Sequence, residues 1–116
     1  MEDKYQELTE EEAVYEFIKY AQEYDEEAPN KRWYVGITKR DPEQRKDEHE
    51  REKGIVCEYF KSFVDCPEDT ARILWDLLEE EGFAKTDAEL EVLAQADVMY
   101  HVYIYKANKT SANSLN

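Results

Sequence analysis

Glycine is scarce in this 116-residue chain: three residues, at 36, 54 and 82, none near another. That excludes a glycine-rich phosphate loop, which needs several glycines within a few positions to wrap the backbone around an anion. Cysteine is scarcer. Cys57 and Cys66 are too few for a disulfide scaffold and lack companions at zinc-ligand spacing, so the chain reads as reduced and cytoplasmic. His49 and His101 lie far apart with no cysteine or histidine at ligand distance, which leaves no transition-metal motif. No apolar run approaches the roughly 20 residues of a membrane span. The acidic opening MEDKYQELTEEE has none of the basic-then-apolar order of a signal peptide. Basic residues are in the minority, 15 against 29 acids, for a net charge of −14. Such a field repels phosphates and argues against broad, non-specific duplex binding.

The charge is unevenly spread. Residues 1–30 hold eleven acids and two lysines, and residues 54–116 hold twelve acids and five bases. Between them, KRWYVGITKRDPEQRKDEHEREK (31–53) carries eight bases against six acids and is the one segment with a positive balance. A solvated helix of mixed sign explains such a run as readily as an anion site does.

What is abundant is aromatic. Nine tyrosines, four phenylalanines and two tryptophans, within a 41% hydrophobic chain, are enough to build one core. A single domain over 1–108 with a polar, frayed tail at 109–116 is expected. Thr9 and Glu12 form a capping box, and Val14, Phe17, Ile18 and Ala21 follow at helical spacing, which predicts a helix over 10–25. DEEAPN (25–30) reads as a loop and RWYVGIT (32–38) as a strand. Asp41-Pro42 opens a second helix running to Gly54. That helix, PEQRKDEHEREK, has no aliphatic or aromatic side chain and so no stripe to bury, while Arg45 and His49 share one of its faces. A strand over 55–64 follows. A third helix then runs from Cys66-Pro67-Glu68 to Gly82, with Ala71, Leu74, Leu77 and Leu78 inward. Thr86 and Glu89 suggest a capping box before a short helix with Leu90, Leu93 and Ala94. VMYHVYIYK (98–106), apolar on both faces, reads as a central strand. The order α-β-α-β-α-α-β implies an α+β fold with a small three-stranded sheet flanked by helices.

Tyr34-Val35-Gly36, Arg45 nine residues after the glycine, and His49 four further on form the most informative constellation. Over Trp33 to Leu78 this resembles the second half of the GIY-YIG nuclease domain, in which a Tyr-(Ile/Val)-Gly strand precedes a helix with a catalytic arginine. The resemblance implies that Tyr34 assists or acts as a general base, that Arg45 holds the scissile phosphate as a planar fork, and that His49 orients Tyr34 or transfers a proton. Lys39, Arg40, Gly36 and Tyr103 would contact substrate. An active enzyme of this type uses one divalent ion, Mg²⁺ or Mn²⁺. Two features depart from the pattern. No Gly-Ile-Tyr strand precedes Tyr34, and its nearest likeness is Val102-Tyr103-Ile104-Tyr105, which would fill that place by a circular rearrangement. The metal-binding glutamate of the family aligns with Trp75, leaving Glu79, one turn later, as the substitute ligand.

Three functions follow as expectations. The first is a degenerate GIY-YIG-like domain that binds a nucleic acid or a protein partner, with weak or absent phosphodiesterase activity. The second is an active metal-dependent DNA endonuclease. The third is an acidic DNA mimic or inhibitor that uses Glu10, Glu11, Glu12, Glu16 and Glu23 against a basic nucleic-acid-binding protein.

Overall fold

The computed structural model describes residues 9–86 and 99–109. Helix α1 (Glu10–Gln22) begins at the expected capping box: Thr9 Oγ1 accepts from Glu12 N, and Glu12 Oε1 accepts from Thr9 N. Three glutamates in its first turn face the positive end of the helix dipole. The helix stops three residues short of Asp25. There the chain turns around the Asp25 carboxylate, which accepts from Asn30, Arg32 and the Trp33 indole, before a cis Ala28–Pro29 bond.

Strand β1 (Trp33–Thr38) leads to α2 (Pro42–Lys53), which Asp41 caps by accepting from Glu43 N and Gly54 ends in the left-handed region at φ 64°. Strand β2 (Ile55–Pro67) continues three residues past the expected Val64, so Pro67 closes a strand as well as preceding helix α3 (Glu68–Glu81). A strand not foreseen from sequence, β3 (Ala84–Lys85), runs parallel to β1; two residues are too few to show a period. Strand β4 (Met99–Lys109) extends beyond the expected Lys106 because Ala107, Asn108 and Lys109 pair with Cys57, Val56 and Ile55. The proposed helix after Thr86 and the tail from 110 onward lie outside the described residues.

The sheet therefore has four strands in the order β2-β4-β1-β3, with β4 antiparallel to both neighbours. The alternation of strand side chains divides it into two faces. On one face, Trp33, Val35 and Ile37 of β1 and Tyr100, Val102 and Ile104 of β4 meet Val14, Phe17 and Ala21 of α1 and Ala71, Leu74 and Leu78 of α3. Each fully buried large apolar side chain there contributes on the order of 1.5–3 kcal/mol. The other face carries Tyr34, Tyr103, Tyr105, Phe60 and Cys57, with α2 lying across it. No helix among the described residues is long and apolar enough to cross a membrane.

A bulge in β2 decides which face receives Phe60. Between Glu58 and Lys61 the register with β4 slips by one residue, and Tyr59 takes φ 56°, a region that bulky L-residues rarely adopt. Without the slip, strict alternation from Cys57 would send Phe60 to the α1/α3 face. With it, Phe60 stacks on Tyr103 at 5.2 Å between ring centroids.

Candidate functional site

The second face is assembled from three elements in register. Gly36 of β1 stands opposite Tyr103 of β4, and Tyr34 stands opposite Tyr105. Gly36 has no side chain to fill its side of the pair, and the Tyr103 ring folds into that space. A methyl group at Gly36 would lie 2.4 Å from both Tyr103 Cζ and its hydroxyl and 2.5 Å from Thr86 Oγ1. The glycine is thus required by close approach.

From this seat Tyr103 OH reaches His49 Nε2 at 2.8 Å. His49 also packs against the Tyr105 ring at 5.5 Å, and Tyr34 stacks on Tyr105 at 5.6 Å, nearly parallel. Arg45 and His49, one turn apart, are the two buried residues of α2. The absence of an apolar stripe on that helix is accounted for by what it covers: it docks a guanidinium and an imidazole onto a tyrosine-lined sheet. The Glu50 carboxylate adds a tether by accepting from Cys57 N at 2.8 Å.

Arg45 Nη1 donates to Glu48 Oε1 at 2.9 Å, the helix-surface pairing that its spacing allows. Arg40, from the turn after β1, grips the same carboxylate with both Nη atoms, at 2.7 and 2.8 Å. These hydrogen bonds, Arg40 first and Arg45 second, hold the Glu48 carboxyl below its ordinary value. Lys39 is half-buried beside Arg40.

Burial keeps the Cys57 thiol and the Tyr105 phenol protonated at neutral pH. Burial, reinforced by Glu50, pushes the Cys57 thiol up to about 12. Burial, with Cys57 and Tyr103 beside it, raises the Tyr105 phenol far above its usual range. Two hydroxyls here, Tyr105 OH and Thr86 Oγ1, are buried without a hydrogen-bond partner among the described residues. Cys66, on the other side of the sheet, is raised by burial to about 11.

The structure thus brings Tyr34, Gly36, Arg45, His49 and Tyr103 to one face, with Arg40 beside Arg45 at Glu48. His49 meets the tyrosine of the last strand, Tyr103; the expectation had linked it with Tyr34. Glu79 is not brought to this cluster. It lies on α3 facing Lys85 Nζ at 3.7 Å, and Lys85 also pairs with Asp76. Lys85 sits opposite Val35 in register, on the α1/α3 face. Trp75 belongs to that same core: its indole donates to the Val35 carbonyl at 2.8 Å, and Lys85 Nζ stands 4.3 Å from its ring centroid. Among the described residues no three His, Cys, Asp or Glu side chains gather around one point, and Glu79 faces Lys85 on the other side of the sheet from Arg45.

Sequence reasoning missed Phe60 and Thr86. Phe60 is delivered by a bulge that has no sequence period. The helix that Thr86 is expected to cap lies outside the described residues; what the sequence did not announce is that the Thr86 backbone N–H donates to the Val35 carbonyl and its hydroxyl lies against Gly36. Tyr105 could have been chosen with Tyr103, since residues two apart on a strand share a face. No protein-family model matches the chain, and no curated protein or solved structure matches it.

Proposed function

We propose that this is a GIY-YIG-like domain of rearranged strand order that binds a phosphodiester backbone with weak or absent cleavage activity. The observation that carries the reading is the meeting of β1, α2 and β4: Tyr103 lies over Gly36 with its hydroxyl on His49, one helical turn from Arg45. The last strand thereby takes the place that the resemblance leaves empty, between β1 and β2, and brings a tyrosine to the site. Arg45 and Arg40 supply planar forks suited to phosphate, Lys39 adds a charge, and Tyr34 offers an aromatic face for a base. Weak or absent chemistry is the reading that the positions of Trp75 and Glu79 support. Trp75 occupies the expected carboxylate position as a core residue, and Glu79 is held by Lys85 on the other side of the sheet. A cytoplasmic setting suits the two free thiols.

The test is anisotropy of a labelled single-stranded oligonucleotide, together with plasmid and branched DNA in Mg²⁺ or Mn²⁺, wild type against Arg45→Ala. Salt-sensitive binding that drops about tenfold or more in the variant is expected, with no Arg45-dependent cutting. Cutting that disappears in Arg45→Ala would make the protein an active metal-dependent endonuclease instead.

A protein partner is the second reading, favoured by one feature of the acidic side. At the end of α1, the exposed rings of Tyr24 and Tyr59 stack at 4.1 Å, beside Glu23, Glu26 and Glu27. Stacked tyrosines with carboxylates around them suit the arginines of a basic protein. Glu10, Glu11, Glu12, Glu16 and Glu23 would extend that contact along α1 as a mimic of DNA phosphates. Absence of any nucleic-acid binding, with capture of a basic nucleic-acid-binding protein that weakens as salt rises, would select this reading.

A further inference from the structure

Arg45 lies in the site with about a tenth of its side chain exposed, Glu48 covers it at 21%, and Arg40 closes over Glu48 at 41%. The carboxylate thus lies between the buried Arg45 guanidinium and the more exposed Arg40. Its binding is unusually complete for a surface glutamate, with both oxygens taken by the Arg40 fork and one of them shared with Arg45. A guanidinium fork from Arg40 and a single N–H from Arg45 around one anion is an arrangement that also suits a phosphate. A hollow of about 260 Å³, lined by Arg40, Gln44, Asp47, Glu48 and Arg51, opens directly outside it.

We infer that Glu48 is an internal stand-in for a phosphodiester: it occupies the slot between Arg40 and Arg45, and a nucleic-acid backbone binds by displacing it. This rests on the phosphate-binding reading above and adds to it a built-in competitor that sets the affinity. The exchange replaces one singly charged anion by another, so the net charge of the slot is unchanged. Only the Glu48 side chain has to swing from the slot to the open helix surface. The displaced carboxylate stays near the bound backbone and repels it, so the slot favours a ligand held by further contacts, such as the bases of a single strand against Tyr34. Free phosphate lacks those contacts and displaces Glu48 poorly.

The experiment compares wild type, Glu48→Gln and Arg45→Ala for binding of a labelled single-stranded oligonucleotide and, separately, of inorganic phosphate. Urea unfolding of each sample serves as the control for folding. Glu48→Gln keeps the side-chain size and removes the charge. It is expected to bind the oligonucleotide roughly three- to tenfold more tightly than wild type, as loss of one adjacent like charge predicts. Inorganic phosphate is expected to register only with Glu48→Gln. If phosphate gains as much as the oligonucleotide does, the stand-in holds and a free phosphate is its natural competitor. If Glu48→Gln does not fold, Glu48→Asp, which withdraws the carboxylate by one methylene, takes its place with the same expected direction. Arg45-dependent binding that is equal or weaker in Glu48→Gln would overturn the stand-in and leave phosphate binding standing. No binding by any of the folded proteins would overturn both.

Discussion

The two faces of the sheet are covered by helices of opposite kinds. Helices α1 and α3 bring aliphatic and aromatic side chains to Val35, Ile37, Val102 and Ile104, and the association is non-directional. Helix α2 brings an arginine and a histidine to a bed of tyrosines, and what holds it is specific: Tyr103 OH on His49, Glu50 on Cys57 N, and capped ends. Buried polar groups are costly unless each meets its partner, so a protein gains little stability by covering a sheet this way. The first face holds the domain together, and the second is where its chemistry would reside.

That contrast can be broken from either side. Phe17→Ala, at a fully buried position under α1, is expected to cost about 3–5 kcal/mol in urea unfolding and to leave affinity per folded molecule unchanged. Gly36→Ala is expected to cost about 1–3 kcal/mol, because its methyl would overlap Tyr103 and Thr86. It should also weaken oligonucleotide binding by expelling Tyr103 from its seat. A Gly36→Ala protein with wild-type stability and binding would show that the seat is looser than described.

Tyr103→Phe removes one hydroxyl and leaves the ring on Gly36. A loss of about 1–2 kcal/mol is expected from removing the buried Tyr103–His49 hydrogen bond, together with changed imidazole chemical shifts by NMR. If the variant is as stable as wild type, the polar face is not held as proposed.

The smallest effect concerns the edge of the first face. The Asp25 carboxyl, with 7% of its side chain exposed, is held well below the usual range. The hydrogen bond from Asn30 is the main cause; those from Glu27 N, Trp33 and Arg32 add to it against the effect of burial. A depressed folded value means that the unfolded chain takes up the proton first. The stabilisation is thus complete above the unfolded value near pH 4 and drains away as pH falls below it. Asp25→Asn is expected to flatten the acid limb of a stability–pH curve between roughly pH 4 and 2, and to change nothing in its slope above pH 6. An unchanged acid limb would mean that this turn does not open on acidification.

Much of this was legible in the chain. The capping box, the Asp41-Pro42 start, the glycine stop at 54 and the apolar pattern of α3 are local, and local chemistry writes itself into neighbouring residues. The peculiarity of α2 was also visible, because a helix with no apolar residue must be held by something else. The partners were not visible. Tyr103 lies 54 positions from His49, and only strand pairing brings them together. The two-residue β3 and the Tyr59 bulge have no periodic signal, yet the first places Thr86 beside Gly36 and the second places Phe60 beside Tyr103.

Sequence by itself determined the α+β class, the order of the described helices and of the three long strands, the central position of the last strand, and the positive segment that singles out Arg45 and His49. Each depends on composition or on a short period. Tertiary structure alone decided that Tyr103 fills the space over Gly36, that Trp75 and Glu79 lie across the sheet from Arg45, and that Glu48 sits between two arginines. Those depend on which face of the sheet a side chain reaches, and a one-residue slip in register is enough to reverse that.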